Sequence, residues 1–143
     1  MTSNPTSRMP PIKAVMTPFP YWVDIDDALS RALAMMAEHA IHHMPVVEGG
    51  RLVSVLSEKD LPGVSEDREN LRVRDVCRGR EAYVVGLSEP LDRVLFHMAE
   101  HGLDSALVVK EGRLAGIFTV SDACRHFGRL LRSLFPPGGD DAA

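Results

Sequence analysis

The chain repeats itself. Displaced by 62 positions, Tyr21–Leu61 aligns without a gap on Tyr83–Ala123. Met36, Ala37, Glu38 and His39 recur as Met98, Ala99, Glu100 and His101; Val46 and Val47 recur as Val108 and Val109. Gly50, Arg51 and Leu52 recur as Gly112, Arg113 and Leu114, and Asp60 recurs as Asp122. Self-similarity at one fixed offset marks an internal duplication, and it requires a fold made of two like units. With 143 residues in all, the chain suits one compact domain or two intimately packed halves, and it needs neither disulfides nor a metal to stay folded.

Each copy reads alike. A short β-rich piece (Tyr21–Val23, Tyr83–Val85) leads into a helix, with Asp26 and Ser88 expected as N-caps. Ala28, Leu29, Ala32, Leu33, Met36 and Ala37 fall at helical spacing, as do Leu91, Val94, Leu95, Met98 and Ala99, with Pro90 tolerated in the opening turn. These stripes are core. A hairpin follows: Met44–Glu48, a turn at Gly49-Gly50, and Arg51–Leu56; then Ala106–Lys110, a turn at Glu111-Gly112, and Arg113–Thr119. The closing helix of the first copy starts near Ser57 and is cut short at Pro62-Gly63. That of the second runs from about Ser121 to Leu134, with Ala123, Phe127, Leu130, Leu131 and Leu134 on one stripe. Arg8–Met16 and Leu71–Cys77 read as short lead-in helices to each copy. The domain organisation is therefore a first repeat over 8–64, a linker over 65–70, a second repeat over 71–135 and a frayed tail over 136–143.

Composition narrows the function classes. The net charge of −4 offers no basic footprint for nucleic acid, and Arg125, Arg129 and Arg132, three or four apart, read as a solvated helix face. No apolar run approaches the ~18 residues of a membrane span, and Met1–Arg8 holds no signal-peptide core, so a cytoplasmic protein is expected. Cys77 and Cys124 read as two reduced thiols rather than a disulfide framework. His39, His42 and His43 lie close together where helix gives way to strand, without a Cys or carboxylate cluster, and the second copy has Asp104 and Ser105 at the last two positions; a structural or solvent-facing role is expected rather than a metal site. No nucleophile elbow, phosphate loop or metalloprotease motif is present, so no enzyme activity is expected.

A β-α-β-β-α unit of about sixty residues in tandem, with Met44-Pro45-Val46-Val47 on the first middle strand, Val15-Met16-Thr17-Pro18 at the lead-in and Gly116-Ile117-Phe118-Thr119-Val120-Ser121-Asp122 closing the second sheet, resembles the cystathionine-β-synthase (CBS) domain pair, from about Pro11 to Leu134. The resemblance implies an α/β (α+β) fold of two repeats packed with pseudo-twofold symmetry, the Bateman module, with a cleft between the sheets. It implies binding of AMP, ADP, ATP or S-adenosylmethionine, a homodimer formed through helices, and a protein partner of unknown identity that senses occupancy. Carried onto this chain, the ligand-binding positions are Thr119, Asp122 and Gly116 in the second copy, Ser57 and Asp60 in the first, Thr17 in the lead-in, and the backbone near Met44 and Ala106 for the base.

The residues bear two readings here. A helix N-terminus favours phosphate, Thr119 or Ser57 adds a hydroxyl, and Asp122 or Asp60 has the two acceptor oxygens that a ribose diol needs. Ser/Thr-x-x-Asp equally describes a capping box that serves only the helix. Ser54 stands where the pattern has glycine, and Leu107 where it has proline; the second-copy site is expected to be the better one. Beside the ligand sensor stand an interaction module that dimerises without a small ligand and, more weakly, a metal- or redox-responsive variant using the histidines or Cys77.

Overall fold

In a computed structural model the chain is described over residues 8–61, 70–77 and 81–138, apart from the Asp60 side chain. The linker positions 65–69, the Pro62-Gly63 helix stop and the tail beyond 138 lie outside the described residues. A 3-10 turn (Ile12–Ala14) and β1 (Thr17–Pro18) precede the first copy, which comprises β2 (Val23–Asp24), α1 (Leu29–Glu38), β3 (His43–Glu48), β4 (Arg51–Ser57) and a 3-10 turn (Glu58–Asp60). The second copy follows α2 (Val73–Val76) with β5 (Val84–Gly86), α3 (Leu91–His101), β6 (Ser105–Lys110), β7 (Arg113–Thr119) and α4 (Val120–Leu134).

Two sheets result, β2-β3-β4 and β1-β7-β6-β5. In each copy the lead strand runs parallel to the middle strand and the hairpin is antiparallel. The register shifts at Val46/Val47 in one hairpin and at Val108/Val109 in the other, so the duplication extends to equivalent β-bulges. Met44 to Val47 are all buried, as expected of a strand covered on both faces.

The helices present Leu29, Ala32 and Met36, or Val94 and Met98, to their sheets. Both stop in the same way. The Ile41 N–H reaches Met36 O at 3.0 Å and the Leu103 N–H reaches Met98 O at 2.9 Å, across a residue in the left-handed region. That residue is Gly102 (φ 61°) in the second copy and Ala40 (φ 53°) in the first.

Their starts differ from the sequence expectation. The N-caps are Ala28 and Pro90, two residues beyond Asp26 and Ser88, and neither caps through a side chain. The first free amides are met instead by backbone: the Leu29 N–H donates to Leu71 O and the Leu91 N–H to Pro10 O, both at 2.9 Å. Asp26 is drawn away by Arg74, whose Nε lies 3.0 Å from its carboxylate.

Those contacts follow from an exchange that the repeat pattern does not announce. Each lead-in packs on the other copy. Ile12, fully buried, joins Val85, Val94, Met98, Ala106, Val108 and Phe118 in the second core. Val73, fully buried, and Cys77 join Val23, Leu29, Met36, Met44 and Leu56 in the first. β1 likewise adds to the second sheet, pairing Thr17 with Ile117 and Pro18 with Gly116. α4 buries none of its residues: Phe127, Leu130, Leu131 and Leu134 stand exposed.

Candidate functional site

A groove of about 670 Å³ opens where the exchanged lead-in, the first copy and the second copy meet. Thr17 to Tyr21 form one wall, Ala40 to His43 with Pro45 a second, and Ile117, Thr119, Ser121, Asp122 and Arg125 a third. The first wall stands there because β1 lies along β7. Gly116 makes that approach possible, since a Cβ at this position would overlap the Met16 sulfur and lie 2.9 Å from its Cγ. The chain then crosses to β2, laying the Tyr21 ring parallel to His39 at 3.8 Å between centroids, with Tyr21 still half exposed.

The third wall is the start of α4, where Thr119 is the N-cap in an extended conformation. The Thr119 N–H and hydroxyl both donate to Asp122 Oδ2, at 2.9 and 3.0 Å, and the Asp122 N–H donates to Thr119 Oγ1 at 3.2 Å. Arg125 Nη1 donates to the other oxygen, Oδ1, at 3.1 Å. A carboxylate offers about four acceptor positions, so three are taken and one, on Oδ1, is open. The Val120 N–H donates to Asp104 O at 3.0 Å. Of the first three helical amides this leaves Ser121 for an anion, at the positive end of a helix 15 residues long.

Thr17, Thr119 and Asp122, singled out from sequence, come together in this groove. Gly116 lies beneath it, against Met16. Met44 and Ala106 are fully buried in their middle strands. Ser57 is buried at the end of β4 and makes no side-chain cap to the turn after it, so the capping box belongs to the second copy. The Asp60 side chain lies outside the described residues. At that first-copy turn Lys59 instead reaches across to Asp104 at 3.1 Å, joining the two copies. Tyr21 and Arg125 were not among the sequence candidates. Tyr21 carried a signal, its recurrence as Tyr83; Arg125, read as part of a solvated face, is 58% exposed yet bound to Asp122.

The histidines separate: His39 stacks on Tyr21, and His42 Nδ1 lies 3.0 Å from Glu58 Oε2. Among the described residues no three His, Cys, Asp or Glu side chains gather as metal ligands. No helix among them is long and apolar enough to cross a membrane.

Comparison with known proteins agrees with this architecture. Inosine-5'-monophosphate dehydrogenase of Staphylococcus haemolyticus is 26% identical over 106 residues, which is 72% of this chain but 21% of the enzyme. The chain thus spans about a fifth of the length of the curated relatives it matches. Among solved structures, a Vibrio cholerae protein named for acetoin utilization superposes with a TM-score of 0.79 at 23% identity, covering 92% of this chain and 99% of that one. The CBS domain of a bacterial CNNM/CorC family Mg2+ transporter, solved in complex with ATP, superposes with a TM-score of 0.72 at 25% identity, covering 82% and 87%. The family model for the CBS domain matches residues 12–63 and again 73–129, and the chain belongs to this family as a tandem pair of its repeats.

Proposed function

We propose that the chain is a cytoplasmic regulatory module, not an enzyme, that binds an adenosine-containing ligand in the groove and signals occupancy to a partner. The observation that carries this is the meeting of Tyr21, Thr119, Asp122 and Arg125 in one groove built from both repeats. The exposed face of Tyr21 stacks the base, beside Ile41 and Pro45. Asp122 takes the ribose diol; with one acceptor position open, the second hydroxyl displaces Arg125 from Oδ1. Arg125 then turns to the phosphate, together with Ser121 at the start of α4. Binding thereby moves a charge on α4, and the exposed apolar stripe of that helix is where a second copy of the chain associates. The CNNM/CorC domain solved with ATP supports the ligand class, and the exposed thiol of Cys124, outside any disulfide, fits a reducing compartment.

One observation favours a second reading. The capping box already satisfies Thr119 and most of Asp122, as a ligand-free interaction module built around α4 would require. A thermal-shift panel with AMP, ADP, ATP and S-adenosylmethionine against GMP decides between them. A ligand at 100 times its Kd adds about 2.7 kcal/mol, a rise of roughly 5–11 °C for a chain of this size. A shift with adenine ligands alone supports the sensor. A flat panel at millimolar concentration, with self-association retained, leaves the interaction module.

A further inference from the structure

A second groove, of about 520 Å³, lies at the turn ends of the two hairpins and shares only Phe19 and Pro20 with the first. Its volume falls in the range of small-molecule sites, and its lining has their character, apolar walls with few polar groups. Phe19, Pro20, Trp22, Val47 and Leu114 form the walls, and Asp24 and Arg113 are the charged groups among the lining residues. Phe19 is 93% exposed and Trp22 52%. Phe19 is also held in the left-handed region (φ 49°), directly before Pro20, with its N–H on Ala115 O at 3.2 Å. That conformation is costly for a residue with a side chain, and burial of the ring does not offset it.

The charges of this groove depart from the duplication. In the first hairpin Glu48 faces Arg51, but the equivalent rung of the second pairs Lys110 with Arg113, like charge against like. Glu48 is bound by Arg74 at 2.8 Å, and the Arg51 guanidinium lies instead over Gly112, within the turn between Lys110 and Arg113. Against these three cations that turn sets one carboxylate, Glu111. Around Asp24 the sign is reversed. Its N–H donates to Asp27 Oδ2 and its Oδ1 accepts the Asp26 N–H, both at 2.9 Å, while Oδ2 has no partner among the described residues. Asp24 and Arg113 do not pair with each other, and among the described residues neither has an ion-pair partner.

A simple anion would answer Arg113 and leave Asp24 facing a like charge, and a simple cation would do the reverse. Opposite charges held apart in one apolar groove match a zwitterion. An α-amino acid carries an ammonium and a carboxylate on one carbon, and its side chain is free to meet a third surface. We propose that the second groove is a further ligand site and takes a free α-amino acid with a large apolar side chain. The carboxylate binds Arg113, the ammonium donates to Asp24 Oδ2, and the side chain packs against Trp22 and Phe19. The assignment does not rest on nucleotide binding in the first groove, and its test contains no nucleotide.

Trp22 is the chain's single tryptophan and lines this groove, so its fluorescence reports on occupancy. The full chain is titrated with L-phenylalanine, with phenylacetate, which lacks the ammonium, and with phenethylamine, which lacks the carboxylate. L-Phenylalanine is expected to change the Trp22 emission saturably. Each analogue is expected to bind about tenfold or more weakly, for the loss of one charge-assisted contact. Asp24→Asn is expected to abolish the preference for L-phenylalanine over phenylacetate, and Arg113→Gln its preference over phenethylamine, each variant keeping the other preference. No saturable response to L-phenylalanine or L-leucine at millimolar concentration, in fluorescence and in calorimetry, overturns the proposal. So does an analogue that binds as tightly as the amino acid. Both of these results are obtained on the parent chain and do not depend on whether the variants fold.

Discussion

Replacing Ile12 by alanine tests the exchange of lead-ins directly. Ile12 is fully buried, and its neighbours Val85, Val94, Met98, Val108 and Phe118 all belong to the second copy. Truncating a buried isoleucine to alanine costs about 2–5 kcal/mol, the spread reflecting how far the cavity can collapse. Phe118 and the flanking strands leave little room for collapse, which places the cost in the upper half of that range, about 3–5 kcal/mol. For a chain of this length each kcal/mol moves Tm by roughly 3 °C, so a fall of about 9–15 °C is expected. Urea denaturation with an unchanged m-value measures the loss. Methyl NMR locates it: the resonances of Val94, Met98 and Val108 are expected to move while those of Val23, Met36 and Val46 stay. The reciprocal change, Val73→Ala, is expected to perturb the first core and spare the second. A cost under about 1 kcal/mol, or shifts confined to the first copy for Ile12→Ala, would refute the exchange.

Four further outcomes are expected. Asp122→Ala removes the acceptor of the Thr119 N–H and hydroxyl and lowers stability by about 0.5–2 kcal/mol in chemical denaturation; adenine-ligand affinity, measured by calorimetry, falls about tenfold or more. Ala40→Gly relieves a left-handed alanine at the end of α1 and raises stability by about 1 kcal/mol in the same assay. The Arg74 guanidinium, bonded to Asp26, holds that carboxyl below its ordinary 3.8; its contribution is therefore full above 3.8 and disappears as pH falls through the lower folded value, and an NMR titration of Arg74→Ala is expected to return Asp26 upward. Leu131→Glu places a charge in the exposed stripe of α4, and the self-association proposed for that stripe is expected to be lost in sedimentation.

The hairpins were legible because Val- and Ile-rich runs flank glycine turns, and the period of 62 fixed two equivalent units. The exchange of Ile12 and Val73 was not. A repeat offset says which segments are alike, not which copy receives each one, and an apolar residue buried in either core has the same local pattern. The displaced N-caps have the same origin: Asp26 and Ser88 are good capping residues, but the amides they would serve are met by carbonyls of Pro10 and Leu71 from distant sequence. At the groove, the spacing of Thr119 and Asp122 announced a capping box, which α4 has, while their reading as ligand positions came from the duplication and the family resemblance. Arg125 did not, because a helix-face arginine three residues past an aspartate looks the same whether that aspartate faces water or a cleft. Gly116 was read for its likeness to a family position, and the structure gives it a packing reason, the passage of Met16.

Phe19 borders both grooves. A molecule seated on either side of this ring selects among its rotamers, and the rotamer selected is part of the wall on the other side. The two cavities are in this sense one linked system with a shared partition. Linkage makes any such influence symmetrical: by whatever factor an occupant of one groove weakens binding in the other, an occupant of the second weakens binding in the first. Exchanging Phe19 for glycine would remove the partition along with its backbone strain, and the two binding events would then proceed independently.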